Sequence, residues 1–165
     1  MEPVLDLDIP AVAQYVGITR LVVGSLVTGL HLLVDERIED LKLAVSEACT
    51  NAVEAHARQG QGGPIKITVY ETPRRVEVHV RDSGGGFDPG ALPSQPLPTD
   101  PERLNFERGL GIPLIRSLVD EVEFVTSAGG TTVRMVMFSA DVDLDIDGGG
   151  SDPFPEVLAD RPESV

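Results

Sequence analysis

Apolar and polar positions follow two periods along this chain, and the changes of period predict its elements. Acidic and aliphatic residues alternate over 4–9, which predicts an edge strand. Residues 11–33 are apolar on nearly every side, which predicts a buried helix interrupted near Gly24 and Gly29. Apolar residues at helical spacing then predict a second helix over 35–58, with an aspartate as its N-cap.

Two hairpins and a short helix are expected in the second half of the chain. Period-two runs at 65–69 and 76–80 flank a Thr-Pro-Arg-Arg turn, which predicts the first hairpin. The pattern disappears over about 83–108, where proline and glycine are frequent, and a stretch of that length in a compact domain is typical of a functional lid. A helix over 111–120 and a hairpin with a Gly-Gly turn at 129–130 follow.

The order of these elements is strand, helix, helix, hairpin, lid, helix, hairpin, which favours a single α/β domain. Helices that all lie on one face of a mixed β-sheet would give a two-layer sandwich. We expect this domain to span 1–139, with the lid at about 83–108 inside it. Residues 140–165 are rich in Asp, Gly and Pro, so we expect them to form a disordered acidic tail.

The charge of the chain restricts the class of partner. A net charge of −14 disfavours direct binding to nucleic acid or to an anionic membrane, since both depend on Lys and Arg that neutralise phosphate. A protein or a nucleotide is the expected partner. The lone Cys49 excludes an intrachain disulfide, and the first residues lack the features of a signal peptide, so we expect a cytoplasmic protein.

The second predicted helix carries the first candidate for chemistry. Glu47 and Asn51 are four residues apart, so they share a face about one turn from each other. A carboxylate could accept a hydroxyl proton there, and an amide oxygen could ligate Mg²⁺, which prefers oxygen ligands. Taken alone, the pair fits an ordinary solvated helix face better than a functional site.

The second candidate is Asp82, which ends an apolar strand and is followed by three glycines that include Gly84 and Gly86. A carboxylate in that position could accept a hydrogen bond from an exocyclic amine, and glycines let a ligand lie against the backbone. The alternative is a flexible strand exit.

The third candidate, Arg108-Gly109-Leu110-Gly111, stands immediately before a predicted helix. Free N–H groups at a helix N-terminus bind phosphate, the glycines allow close approach, and Arg108 could add a charge-assisted hydrogen bond. The alternative is an ordinary loop-to-helix join. Neither a P-loop nor a dinucleotide fingerprint occurs in the chain, so a phosphate site here would be of another kind.

In their order and spacing, these segments resemble the N, G1, G2 and G3 boxes of the GHKL ATPases. The segments are Ser-Glu-Ala-Cys-Thr-Asn-Ala at 46–52, Asp-Ser-Gly-Gly-Gly-Phe at 82–87, Arg-Gly-Leu-Gly-Ile at 108–112 and Gly-Gly-Thr-Thr-Val at 129–133. The resemblance covers the body of the chain and implies the Bergerat ATP-binding fold. The short format is similar to the anti-sigma-factor serine kinases.

The resemblance also implies a role for each position, with ATP and Mg²⁺ as cofactors. Glu47 would be the catalytic base and Asn51 the metal ligand, while Asp82 would contact the adenine amino group. The remaining cofactor-binding positions it implies are Gly84, Gly86, Arg108, Gly109, Leu110, Gly111, Thr131 and Thr132.

Three functions follow as hypotheses. The first is a homodimeric protein serine kinase that binds a sigma factor and phosphorylates a STAS-domain anti-anti-sigma protein on serine. The second is a nucleotide-gated binding module that transfers no phosphate. The third is a detached histidine-kinase catalytic domain.

Overall fold

The computed structural model describes residues 2–59, 63–83, 111–127 and 129–140. Eight regular helices and strands are found among these residues, together with a single 3₁₀ turn at Ala13–Tyr15. In chain order they are β1 Leu5–Ile9, α1 Val16–Leu30, α2 Asp35–Gln59, β2 Ile65–Thr72, β3 Arg75–Arg81, α3 Gly111–Leu118, β4 Glu121–Ser127 and β5 Gly130–Phe138.

The five strands form one sheet in the order β1-β2-β3-β5-β4, and each neighbouring pair is antiparallel. The two-layer α/β sandwich is therefore confirmed. The expectation of a mixed sheet is wrong, because every pair of neighbouring strands is antiparallel. The chain does run from β3 through α3 to β4 in the manner of a parallel crossover. Strand β5 lies between β3 and β4, however, and separates the two strands that would have formed the parallel pair.

The core lies between the helices and one face of the sheet. Alternate aliphatic residues of β2 and β3 point to the helices, as the period of two requires. Strand β5 adds Val133, Met135 and Met137, while α2 supplies Leu41 and Val45 from the other side. One side of the sheet thus packs on all three helices.

Helix α1 differs from its prediction in two respects. It runs without interruption through Gly24 and Gly29 and ends at His31, which takes the left-handed conformation at φ 55°. The methylene groups of Lys42 lie across Gly24, so this glycine permits close helix packing rather than a break.

Helix α1 is also less buried than its composition predicts. Val23 and Val27 reach the core, whereas Ile18 and Leu21 are 50% and 66% exposed. Within the described residues, Ala13–Leu30 is the one stretch that is long and apolar enough to cross a bilayer by length and composition. A helix that packs one side on a protein core passes the same test.

Candidate functional site

Helix α2 brings the two polar candidates to the start of α3. A methyl group built on Gly111 would lie 3.1 Å from Glu47 Oε2 and 3.2 Å from each amide atom of Asn51. The first residue of α3 therefore fits against both side chains at once, because it has no Cβ. In sequence, Gly111 is 60 residues or more from Asn51 and Glu47, and only the packing of α3 on α2 brings it against them.

Asn51 offers polar atoms that the described fold leaves unused. Its Nδ2 is buried and has no hydrogen-bond partner, and the same is true of Thr131 Oγ1. A buried polar group without a partner costs free energy, roughly 1–3 kcal/mol, unless a ligand or water supplies the bond. Both atoms belong to positions that the sequence predicted to contact a nucleotide.

A second group of predicted residues meets at the end of β3. Asp82 is 6% exposed, and its backbone N–H donates to the carbonyl of Thr131 at 2.9 Å. Gly130, at φ 126°, lies so close that a Cβ would be 1.9 Å from the Asp82 carbonyl oxygen. Thr131 and Thr132 are both buried beside it. The β4–β5 turn thus presses on the strand exit and holds Asp82 in place.

Gly130 is the residue that sequence reasoning overlooked. It was one member of a Gly-Gly-Thr-Thr-Val segment, and no role was assigned to it. Its positive φ and its contact with the Asp82 backbone show why a side chain is excluded there. The Gly-Gly pair in the turn was the available signal.

Several predicted positions lie outside the described residues. These are Gly84, Gly86, Arg108, Gly109 and Leu110, together with all of the predicted lid except Ser83. Ser83 Oγ accepts a hydrogen bond of 2.9 Å from the backbone N–H of Gly63. The roles assigned to the other five positions stay predictions.

Cys49 lies between Glu47 and Asn51 in sequence but not in space. It is fully buried in the core, and burial raises the pKa of its thiol to about 12. A thiol with that pKa is protonated at neutral pH and is a poor nucleophile or metal ligand. The chemistry of this helix therefore rests on its polar face.

Glu47 and Asn51 of α2 lie against the glycine that begins α3, and Asp82 is buried at a strand end of the same sandwich. This is the arrangement predicted for an ATPase-type nucleotide-binding domain. The sequence profile of the histidine kinase-like ATPase domain matches residues 9–137. The chain belongs to this family, as its sequence motifs predicted.

Relatives with curated names refine the family. The serine-protein kinase RsbW of Bacillus pumilus is 41% identical over 142 residues, which cover 81% of this chain and 85% of that protein. The serine-protein kinase RsbW of Bacillus subtilis is 38% identical over 138 residues, covering 81% and 84%. These relatives confirm the serine-kinase branch that the motifs predicted, and with it the enzyme class.

A solved structure supports the fold. The RsbU and RsbW domains of Rv1364c from Mycobacterium tuberculosis superpose with a TM-score of 0.58 at 20% identity. The match covers 84% of this chain and 33% of that longer chain. At this identity the likeness is one of fold.

Proposed function

We propose that this protein is an ATP-dependent serine kinase that acts as an anti-sigma factor. It binds a sigma factor and inactivates a STAS-domain antagonist by phosphorylating one of its serines. The observation that carries the proposal is the contact of Gly111 with both Glu47 and Asn51. That close approach supports the proposal because it brings the predicted base and the predicted metal ligand to the start of α3, which directly follows the predicted phosphate-binding segment.

The residues of the site divide the work of phosphoryl transfer. Glu47 accepts the proton of the substrate serine hydroxyl as the serine oxygen bonds to the γ-phosphorus and ADP leaves. Asp82 accepts a hydrogen bond from the adenine amino group, and Thr131 offers its buried hydroxyl to the same part of the nucleotide. By resemblance, Arg108, Gly109 and Leu110, which lie outside the described residues, would contact the phosphates.

Asn51 fits the expected metal. Its Oδ1 is an oxygen ligand of the kind Mg²⁺ prefers, and the bound ion would neutralise charge on the phosphates. Within the described ranges no three His, Cys, Asp or Glu side chains cluster as a metal site. A single protein ligand matches an ion that keeps several waters and is otherwise held by the nucleotide phosphates.

Assembly and location complete the proposal. We place the protein in the cytoplasm as a homodimer, with the sigma factor and the STAS protein as alternating partners. The resemblance to the anti-sigma-factor kinases supports this arrangement, and the net charge of −14 supports protein partners over nucleic acid.

Incubation with radiolabelled Mg-ATP and a STAS-domain protein tests the activity. Transfer to serine is expected in the wild type and absent in Glu47→Ala, while both bind nucleotide equally. Glu54→Ala, on the same helix two turns further along, is the matched control and should transfer normally. Labelling that survives Glu47→Ala would overturn the role of Glu47.

The same experiment separates the other two functions. Nucleotide-dependent partner affinity without any transfer would favour the gated binding module. An acid-labile product would favour phosphotransfer to histidine, whereas phosphoserine survives acid.

A further inference from the structure

Strand β3 ends at Arg81, one residue before the aspartate that is predicted to contact adenine. The Asp82 N–H still turns to β5, where it donates to the Thr131 carbonyl at 2.9 Å. Neighbouring residues of a strand direct their backbone groups to opposite sides, so a continued strand would turn those of Ser83 to β2. The hold on Asp82 from the β2 side therefore depends on what faces Ser83.

On the β2 side, the backbone ladder meets a proline. Lys66 lies opposite Arg81, and two residues further along the same register Pro64 would face Ser83. Proline has no N–H, so it cannot donate to the backbone of Ser83. The preceding Gly63 does have an N–H, and it donates to Ser83 Oγ at 2.9 Å. A hydrogen bond to a side chain thus replaces the next bond of the ladder.

The donor of this hydrogen bond lies on a stiff segment. Pro64 fixes its own φ and restricts the conformation of Gly63 before it. Ile65, the next residue, is fully buried and begins β2. The Gly63 N–H is therefore held in a defined direction. Ser83 is exposed, so it is the partner that would move if the bond were lost.

The β5 side of the same peptide is held by packing. A Cβ on Gly130 would lie 1.9 Å from the Asp82 carbonyl oxygen and 2.9 Å from Ser83 Cα. This contact stops the end of β3 from moving toward β5, but it does not stop a movement toward β2. Because β3 lies between β2 and β5, the hydrogen bond of Ser83 with Gly63 restrains the opposite side.

We propose that Ser83 is a positioning residue that sets the preference of the site for adenine through Asp82. The inference rests on the proposed function, in which Asp82 accepts a hydrogen bond from the adenine amino group. The rotamers open to a side chain depend on its own φ and ψ, so the peptide between Asp82 and Ser83 fixes where the carboxylate points. Hydrogen bonds weaken steeply with misalignment, so a small rotation of this peptide weakens the bond to adenine.

Paired titrations with ATP and purine riboside triphosphate test this role, because the analogue lacks only the amino group that Asp82 would contact. Isothermal titration calorimetry of the full chain with Mg²⁺ gives the Kd of each nucleotide, and their ratio is the adenine preference. A hydrogen bond to a charged group is worth about tenfold or more in affinity, and we expect the wild type to prefer ATP by that factor. Ser83→Ala should lower the preference severalfold by weakening ATP binding, with the Kd of the analogue unchanged.

Two further variants separate positioning from other effects of the substitution. Ser83→Thr keeps the hydroxyl and should retain the wild-type preference. Ser117→Ala is the matched control, since it removes a hydroxyl that donates to the Leu114 carbonyl at 2.7 Å in α3, and it should also retain the preference. Thermal unfolding of each variant monitors the fold, which we expect Ser83→Ala to keep because the residue is exposed.

Three results would overturn this inference and leave the ATP site in place. A wild-type preference in Ser83→Ala would show that the bond to Gly63 does not position Asp82. Equal weakening of both nucleotides would reduce Ser83 to a general structural role. An equal loss of preference in Ser117→Ala would show that any lost hydroxyl has this effect. A wild type that binds both nucleotides equally would instead contradict the contact of Asp82 with adenine, and the inference with it.

Discussion

Gly111 brings the start of α3 close to the side chains of Glu47 and Asn51 on α2. Alanine at this position would put a Cβ 3.1–3.2 Å from Glu47 and Asn51, tighter than ordinary contact, so both side chains must move by tenths of an ångström. Small misplacements of catalytic groups are costly, and we expect Gly111→Ala to lower the phosphotransfer rate by about tenfold. Steady-state kinetics with Mg-ATP measures this.

Gly29→Ala is the control for that substitution. A Cβ at Gly29 would meet nothing within 4 Å, and alanine favours helix, so the expected effect is a small gain in stability with unchanged transfer. Equal loss of activity in the two variants would contradict the contact-based explanation.

Glu77 gives the protein a predicted acid sensitivity. Burial raises the pKa of this carboxyl, but hydrogen bonds from His79 and Arg134 outweigh burial and hold the pKa below its ordinary value of 4.5. Because the folded pKa is the lower one, the stabilisation is present above about 4.5 and is lost as the pH falls through the folded value.

Urea unfolding of Glu77→Gln from about pH 7 to about pH 3 measures this linkage. At neutral pH we expect the variant to be about 2 kcal/mol less stable, since a buried charge pair loses one partner. The difference should shrink in acid. The exposed Glu123→Gln serves as control, and a difference between Glu77→Gln and wild type that does not vary with pH would contradict the assignment.

At the scale of elements, one arginine ties α3 to α2 at the end remote from the site. Arg37 donates to the Leu118 carbonyl at 3.1 Å and to Asp120 Oδ1 at 2.7 Å. Asp120 Oδ2 in turn accepts from the Phe138 N–H at 2.8 Å. The arginine thus caps the C-terminus of α3, and since α3 begins at Gly111, the tie fixes where the helix start lies relative to Glu47.

We expect Arg37→Ala to destabilise the fold by about 1 kcal/mol and to weaken nucleotide binding, because the start of α3 is no longer held. Arg37→Lys should recover part of the affinity. Calorimetric titration with Mg-ATP and thermal unfolding measure the two effects. Arg20→Ala, which breaks a more exposed pair with Glu39, is the control and should leave affinity unchanged. Nucleotide affinity equal to wild type in Arg37→Ala would contradict the positioning role.

At the scale of the molecule, nucleotide should stabilise the whole domain. The predicted contacts come from α2, α3, β3 and β5, so binding links the helical layer to the sheet. A ligand at 100 times its Kd adds about 2.7 kcal/mol, which corresponds to a rise in Tm of about 8 °C for a domain of this size. Differential scanning fluorimetry with and without Mg-ATP measures it.

Two variants sharpen that measurement. Glu47→Ala should keep the full rise in Tm, because the base serves transfer rather than binding. Asn51→Ala should lose the part of the rise that depends on Mg²⁺. A rise in Asn51→Ala that still depends on Mg²⁺ as in the wild type would contradict its role as metal ligand.

Helices α2 and α3 and both hairpins followed from the sequence because local periods dictate them, whereas the interruption expected in α1 is absent. Thr72 illustrates this for the first hairpin, since its hydroxyl accepts hydrogen bonds from the backbone of Arg74 and Arg75 within the predicted turn. The family and its branch followed as well, because their boxes are contiguous in sequence. Of the predicted site, Glu47, Asn51, Asp82, Gly111 and the two threonines lie among the described residues, and their roles stay predictions.

What the sequence could not decide was the arrangement of distant segments. A period of two says that a residue alternates between faces but not which strand lies beside it, so the insertion of β5 between β3 and β4 was missed. Composition likewise could not show that α1 leaves Leu21 in solvent. The sequence by itself determined the elements and the ATP-binding family. Tertiary packing alone brought Gly111 against Glu47 and Asn51, pressed Gly130 on Asp82 and buried Glu77 among its cations, because each of these contacts joins segments whose sequences are independent of one another.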